Sequence, residues 1–195
     1  MSDQPPRDPL STRFSDALVL AFELHRTQWR KATRVPYVAH LLAVASIALE
    51  NGATEDEAIA ALLHDAVEDQ GGAETAARIA RMLGDNVAAI VVACSDTDVV
   101  PKPPWRARKE AYIAHVKTAS ASVRLVSASD KLHNARSIVA DYRVMGEEVW
   151  TRFTGGREGT LWYYRSLVEA FASHGASLLV AELERVVTEL ESLSR

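Results

Sequence analysis

Leu, Val, Ile and Ala recur at intervals of three and four residues through most of the chain, and alternating strand patterns are nearly absent. That periodicity predicts an all-α bundle with no β structure required. Helices are expected over roughly 14–29, 37–50, 55–69, 73–83, 86–94, 104–118, 121–144, 147–153, 158–173 and 176–193, with ends good to about 2–4 residues. The third is the best bracketed: Thr54 and Glu57 form a capping-box pattern before it, and Gly71-Gly72 offer a stop after it. The Pro-rich piece Val100-Pro101-Lys102-Pro103-Pro104 must be a connector, with Trp105 opening the next helix. Phe153 to Gly159, with Gly155, Gly156 and Gly159, reads as a second loop, and both loops are lid candidates. Near the C-terminus Leu179, Leu183, Val186, Leu190 and Leu193 form an apolar seam. Packing on its own bundle is the expected use, because a dimerising coiled coil normally needs more heptads.

Composition narrows the class. With 195 residues, 48% of them hydrophobic, the chain suits a single domain over residues 11–195 behind a flexible tail of 1–10, with no repeat or interdomain linker. A formal charge of -4 and a pI near 5.9 argue against a nucleic-acid-binding sheath or an anionic membrane surface. Any phosphate-binding surface must be small and focused. The single cysteine, Cys94, lies in an apolar run, reads as a buried reduced thiol and allows no internal disulfide. No run approaches the roughly 18–20 apolar residues of a membrane span, and the first residues lack a signal-peptide core. A soluble cytoplasmic protein is expected, and homo-oligomerisation is left open.

Against this apolar background, AALLHDAVEDQG places His64, Asp65, Glu68 and Asp69 on a helix that otherwise reads as buried. Buried unpaired carboxylates cost several kcal/mol or titrate to the neutral form, so a shared cation is the economical reason for clustering them. Residues four apart stack on a helix, so His64 is expected beside Glu68 and Asp65 beside Asp69, all four able to face one cavity. A first-row divalent ion wants about four to six donors. Two further polar residues interrupt apolar helices: His40 in PYVAHLLAVASIAL and Asp130 in VRLVSASDKLHNAR. Taken alone, each is more often a hydrogen-bonded core residue than a ligand.

Their order, His, then His-Asp, then Asp on three separate helices, resembles that of the HD-domain metal phosphohydrolase superfamily. The stretch His25-Arg26-Thr27-Gln28-Trp29-Arg30-Lys31, continuing through Pro36-Tyr37-Val38-Ala39-His40, is similar to the HxGQxRK…PYxxHP opening of RelA/SpoT-type alarmone hydrolases. HDxxED is met by His64, Asp65, Glu68 and Asp69, and DKLxN by Asp130, Lys131, Leu132 and Asn134. Thr27 stands where the motif has a small residue, and Leu41 where it has proline. With no synthetase region following, the resemblance is to the stand-alone small alarmone hydrolases.

The resemblance implies an HD-type helical bundle that removes pyrophosphate from the ribose 3′ position of guanosine tetra- or pentaphosphate. It implies metal ligands His40, His64, Asp65 and Asp130 around Mn²⁺ or another first-row ion, with Glu68 and Asp69 handling the protons of the water and the leaving 3′ oxygen. It places Arg30 at the nucleobase with Lys31 beside it; Asn134, one helical turn after Asp130, is a candidate for the ribose or a phosphate, or else a helix-surface amide. Arg108, in the cationic cluster with Arg106 and Lys109, and Arg157 are phosphate candidates, although a charge run is usually a solvated face. Trp162, Tyr163 and Tyr164 read as core and rim packing. Three alternatives stay open. One is an HD phosphatase for another nucleotide, such as an adenosine alarmone, a nucleoside monophosphate or the 2′-phosphate of NADPH. Another is a binuclear phosphodiesterase, for which only His115 could add a histidine between Asp65 and Asp130. The last is a non-catalytic nucleotide-binding or scaffold bundle that keeps the fold.

Overall fold

The computed structural model describes residues 10–95 and 103–195. The tail expected over 1–10, Leu10 apart, and residues Val100, Pro101 and Lys102 of the Pro-rich connector lie outside the described residues. In chain order the helices are α1 (Thr12–His25), α2 (Val38–Glu50), α3 (Glu55–Leu63), α4 (Ala66–Asp69), α5 (Gly72–Leu83), α6 (Asp85–Cys94), α7 (Trp105–Val116) and α8 (Ala121–Met145). A 3₁₀ helix (Gly146–Arg152), α9 (Gly156–Ala172) and α10 (Leu178–Leu193) follow. Among the described residues the one strand-like feature is an isolated antiparallel bridge between Trp29 and Pro36. The fold is therefore all-α, as the periodicity predicts. No helix of the described residues is long and apolar enough to cross a membrane.

Local sequence explains four of the ten α-helix starts among the described residues. Ser11, Thr54, Ser120 and Ser177 each accept a hydrogen bond from a first-turn N–H of α1, α3, α8 and α10, and Thr54 with Glu57 closes a full capping box. Between α4 and α5 the chain turns through Gly71 and Gly72 at φ 109° and 57°, the left-handed region that favours glycine. A Cβ on Gly71 would also stand 2.9 Å from the Thr75 hydroxyl.

Two apolar clusters form the core. The first joins α1 to α6 with Val123 and Val126 of α8; the second joins α7, the 3₁₀ helix, α9 and α10 with Ala128, Leu132, Ala135, Ile138 and Val139 of α8. Helix α8 is the shared element: it passes from the first cluster to the second between Val126 and Ala128, and Asp130 follows just beyond. The C-terminal seam packs within the molecule: Leu179, Leu183, Val186 and Leu190 are buried in the second cluster, and only Leu193 remains exposed.

Three boundaries differ from the expectation. Helix α1 stops at His25, not near residue 29, because the chain turns back through Ala32 at φ 56° and pairs Trp29 with Pro36, Arg30 N–H donating to the Val35 carbonyl at 2.9 Å. The expected helix over 55–69 is broken at His64-Asp65. There His64 Nδ1 takes the Ala61 carbonyl at 2.8 Å, and Asp65 moves to φ −94°, ψ −5°, at the edge of the helical region. The glycine-rich loop shrinks to Phe153–Gly155, since α9 already begins at Gly156. Its Gly155 serves close packing: a Cβ there would lie 2.5 Å from the Trp105 indole.

Candidate metal centre and its cleft

Four groups from three segments converge between the two clusters. His40 comes from the first turn of α2, His64 and Asp65 from the break between α3 and α4, and Asp130 from the middle of α8. His40 Nε2 lies 3.6 Å from Asp65 Oδ2 and 3.2 Å from Asp130 Oδ1, while His64 Nε2 lies 3.0 Å and 3.6 Å from the same two oxygens. Each carboxylate thus touches both imidazoles. Both Nε2 atoms are buried, yet neither makes a hydrogen bond of acceptable geometry. Lone pairs of two nitrogens and two oxygens crowded at 3.0–3.6 Å without direct bonding between them suit a common cation. His40, His64 and Asp65 have ligand atoms mutually within 4.8 Å, close enough to share one ion.

The break in the helix is what makes this possible. Bending at Asp65 lets adjacent residues His64 and Asp65 aim at one point, which successive positions of a straight helix, about 100° apart, do not do. Each ligand is also held from behind. His64 Nδ1–H donates to Ala61 O at 2.8 Å, which leaves Nε2 bare toward the site. His40 Nδ1 meets His133 Nδ1 at 2.7 Å. Asp65 Oδ2 accepts from the Tyr37 hydroxyl, and Asp130 accepts from Lys131 Nζ on Oδ2 and from Asn134 Nδ2 on Oδ1, all at 2.5 Å.

The electrostatics ask for positive charge. Burial pushes Asp65 up, but the His64 charge and its imidazole contacts outweigh that and hold its carboxyl well below the usual range. Asp130 is also held well below it, burial being overcome by Lys131 and the two imidazoles. In return the two carboxylates outweigh burial at His64 and raise it well above an ordinary histidine. A site that pulls a proton onto a buried imidazole will exchange that proton for a metal ion. Burial, followed by the Asp65 charge, drives the Tyr37 phenol upward and keeps it a donor. Burial with the nearby His40 and Arg30 lowers His133 to about 4.

A cleft of about 780 Å³ opens from the centre and runs beside α8. Of the residues singled out from sequence, His40, Asp65, Asp130, Glu68, Arg30, Lys31, Arg108 and Asn134 line it. Asn134 couples two of them, donating to Asp130 and accepting from Arg30 Nη2 at 2.9 Å. Lys109, Lys131 and Arg152 add positive charge to the walls, and Tyr112, Tyr163 and Tyr164 supply aromatic surface. Arg157 is not brought to the cleft; it is exposed on the first turn of α9. Asp69 is not among the residues lining the cleft but lies within electrostatic reach of Asp65 and Glu68, and Gln28 Nε2 donates to its Oδ2 at 2.7 Å; burial raises its carboxyl, and that bond only partly offsets the rise. Asp69 still lies one helical turn beyond Asp65, its N–H donating to the Asp65 carbonyl at 2.9 Å, so the expected pairing of these two survives the break. Cys94 is a cleft residue with its thiol pushed up to about 12 by burial. His115 lies apart, its Nε2 2.9 Å from the Ala93 carbonyl. A second cavity of about 430 Å³, between Asn51 and the α9–α10 turn, contains none of these groups.

The sequence reading assigned no role to several residues that the geometry brings forward. Gln28, Tyr37 and Lys131 lie inside the quoted motifs, so a signal was present; His133 is the residue between Leu132 and Asn134. Gln28 is itself fixed, its Oε1 accepting from His25 Nδ1 at 2.7 Å and from Gln70 at 2.8 Å, while His25 stacks on Tyr37 with centroids 5.2 Å apart. Arg152, paired with Asp141 at 2.7 Å, had no local signal.

Comparison with known proteins shows the family of the chain. A family model described as HD domain matches residues 17–161. A guanosine-3′,5′-bis(diphosphate) 3′-pyrophosphohydrolase MESH1 from Xenopus tropicalis is 36% identical over 126 residues, covering 63% of this chain and 68% of that protein. Its Drosophila melanogaster namesake is 31% identical over 145 residues, covering 73% and 76%. A solved structure described as a metazoan ortholog of SpoT that hydrolyzes ppGpp superposes with a TM-score of 0.76 at 26% identity, covering 96% of this chain and 97% of that one.

Proposed function

Since this chain belongs to the HD domain family, we propose that it is a metal-dependent hydrolase removing pyrophosphate from the ribose 3′ position of guanosine tetraphosphate. The observation that carries this reading is the opening of a four-donor, cation-demanding centre directly into a cleft walled by Arg30, Lys31, Arg108, Lys131 and Arg152. A chain of net charge -4 that gathers these cations in one cleft is suited to a compact polyanion. The 3′-pyrophosphate specificity is taken from the relatives named above.

His40 and His64 through Nε2, and Asp65 and Asp130 through one oxygen each, would hold the ion. Two imidazoles and two carboxylates are a borderline-hard set, and Mn²⁺ is the proposed occupant. When bound, a divalent ion supplies positive charge for a phosphate oxygen and acidifies water at neutral pH. Glu68, on the cleft wall, accepts the proton of the attacking water. Asp69, whose raised carboxyl holds a proton more readily, delivers it to the leaving 3′ oxygen. The bond between phosphorus and the 3′ oxygen breaks, the water oxygen stays on pyrophosphate, and GDP is released. Arg30, held by Asn134, presents its planar guanidinium to the base, and Lys31 and Arg108 neutralise phosphate. The test is to supply Mn²⁺-loaded protein with guanosine tetraphosphate and identify products. GDP with pyrophosphate is expected; release of orthophosphate, or no turnover, overturns the assignment.

A further inference from the structure

His133 lies against a ring that the metal centre depends on. Its Nδ1 is 2.7 Å from His40 Nδ1, and the two rings are tilted by 41° with centroids 4.8 Å apart. Two ring nitrogens at that separation share one proton, so one donates and the other accepts. The far side of His40 decides which. His40 Nε2 faces Asp65 and Asp130 at 3.6 and 3.2 Å, and it can ligate a cation only by presenting a lone pair. Neutral His40 then carries its proton on Nδ1, His133 Nδ1 must accept, and His133 must carry its own proton on Nε2.

His64 shows the usual alternative, an orienting bond to a backbone carbonyl, Ala61 O. A carbonyl has no tautomer to set, whereas an imidazole has one. His133 Nε2, on the edge of the ring away from His40, makes no hydrogen bond among the described residues, and the ring lines the cleft beside Asn134. We propose that His133 is a positioning residue that locks His40 for metal binding and, in the loaded protein, offers Nε2–H to a phosphate or ribose oxygen of the nucleotide. This rests on the metal-dependent nucleotide hydrolase reading above. It makes the centre and the substrate cleft communicate through a single proton between two histidines.

Isothermal titration of Mn²⁺ into the parent, His133→Phe and His133→Gln tests the positioning role. His133→Phe should weaken Mn²⁺ binding about 10–100-fold, the usual effect of losing the bond that orients a ligand histidine. His133→Gln, whose carbonyl can accept from His40, should recover most of that affinity. At saturating Mn²⁺, His133→Phe should raise KM for guanosine tetraphosphate roughly 2–10-fold, the value of one neutral hydrogen bond, with kcat preserved. Ring-nitrogen NMR of the parent loaded with diamagnetic Zn²⁺ should place the His133 proton on Nε2, a result that does not depend on any variant folding. Parent-like Mn²⁺ affinity in a folded His133→Phe, or a proton on His133 Nδ1 in the loaded parent, overturns the inference. A parent that binds Mn²⁺ and shows these effects but leaves guanosine tetraphosphate intact refutes the substrate assignment and supports the role of His133 in metal binding.

Discussion

Replacing Asp130 and Asp65 one at a time by Asn, in metal-free protein, separates the two carboxylates by what stands behind each. Asp130 is 5% exposed and accepts from Lys131 Nζ, whose side chain keeps 16% of its exposure. Removing one partner of a buried ion pair costs about 3–5 kcal/mol, because the other charge is left uncompensated. The residual exposure of Lys131 argues for the low end, about 3 kcal/mol. Asp65 faces His64, a cation that, unlike Lys131, can shed its proton when the carboxylate is removed; the variant keeps the Tyr37 hydroxyl through the amide oxygen and is relieved of repulsion from Asp130. About 1 kcal/mol is the expected cost. For a chain of this size each kcal/mol moves Tm by about 2–4 °C, so Asp130→Asn should melt roughly 6–12 °C below the parent and Asp65→Asn roughly 2–4 °C below it. Thermal unfolding in chelator, checked by urea titration, measures both. Equal losses, or a larger loss at Asp65, would refute the claim that Lys131 depends on Asp130 for its burial.

Asp69→Asn should lower kcat about 10²–10⁴-fold while leaving the Mn²⁺-induced rise in Tm unchanged, since in the proposed reaction Asp69 handles protons and is not a ligand; steady-state kinetics and melting curves read the two effects. Arg30→Ala should reduce kcat/KM roughly 10–100-fold, the value of a charge-assisted contact, whereas Arg157→Ala, outside the cleft, should leave it unchanged in the same assay. Metal affinity should rise with pH. His64 is raised well above an ordinary histidine and must lose its proton to ligate, so while it stays protonated in the free protein each pH unit gains about tenfold in Mn²⁺ binding. By the same shift, the stability that protonated His64 gives the metal-free fold is complete below its unfolded pKa and lost as pH rises through the folded one. Calorimetry in buffers of different ionisation enthalpy would register the released proton.

The helical class, the intramolecular use of the α10 seam and the convergence of His40, His64, Asp65 and Asp130 were legible because each leaves a mark on the apolar pattern. Periodicity of three and four reports a buried face, and a histidine or aspartate in that face is conspicuous. The break at His64-Asp65 was not legible. Both residues tolerate helix, and the cause is a side-chain bond to the Ala61 carbonyl together with the demand that neighbouring side chains point to one centre. The turn after His25 was hidden for a related reason, since it is closed by a bridge to Pro36, eleven residues on. Charge misled in a different way. Arg157 and Arg152 look alike in sequence, and only the direction in which the 3₁₀ helix hands over to α9 puts Arg152 on the cleft and Arg157 in solvent. His133 shares a face of α8 with Asp130 and Asn134, but its role is not legible in the sequence because its partner, His40, is 93 residues away.

Anomalous scattering at the manganese edge from crystals soaked in Mn²⁺ addresses the metal centre most directly. One strong peak is expected, within bonding reach of His40 Nε2, His64 Nε2, Asp65 and Asp130 together. No peak there, or a peak whose neighbours omit any of the four, would contradict a centre built from α2, the α3–α4 break and α8.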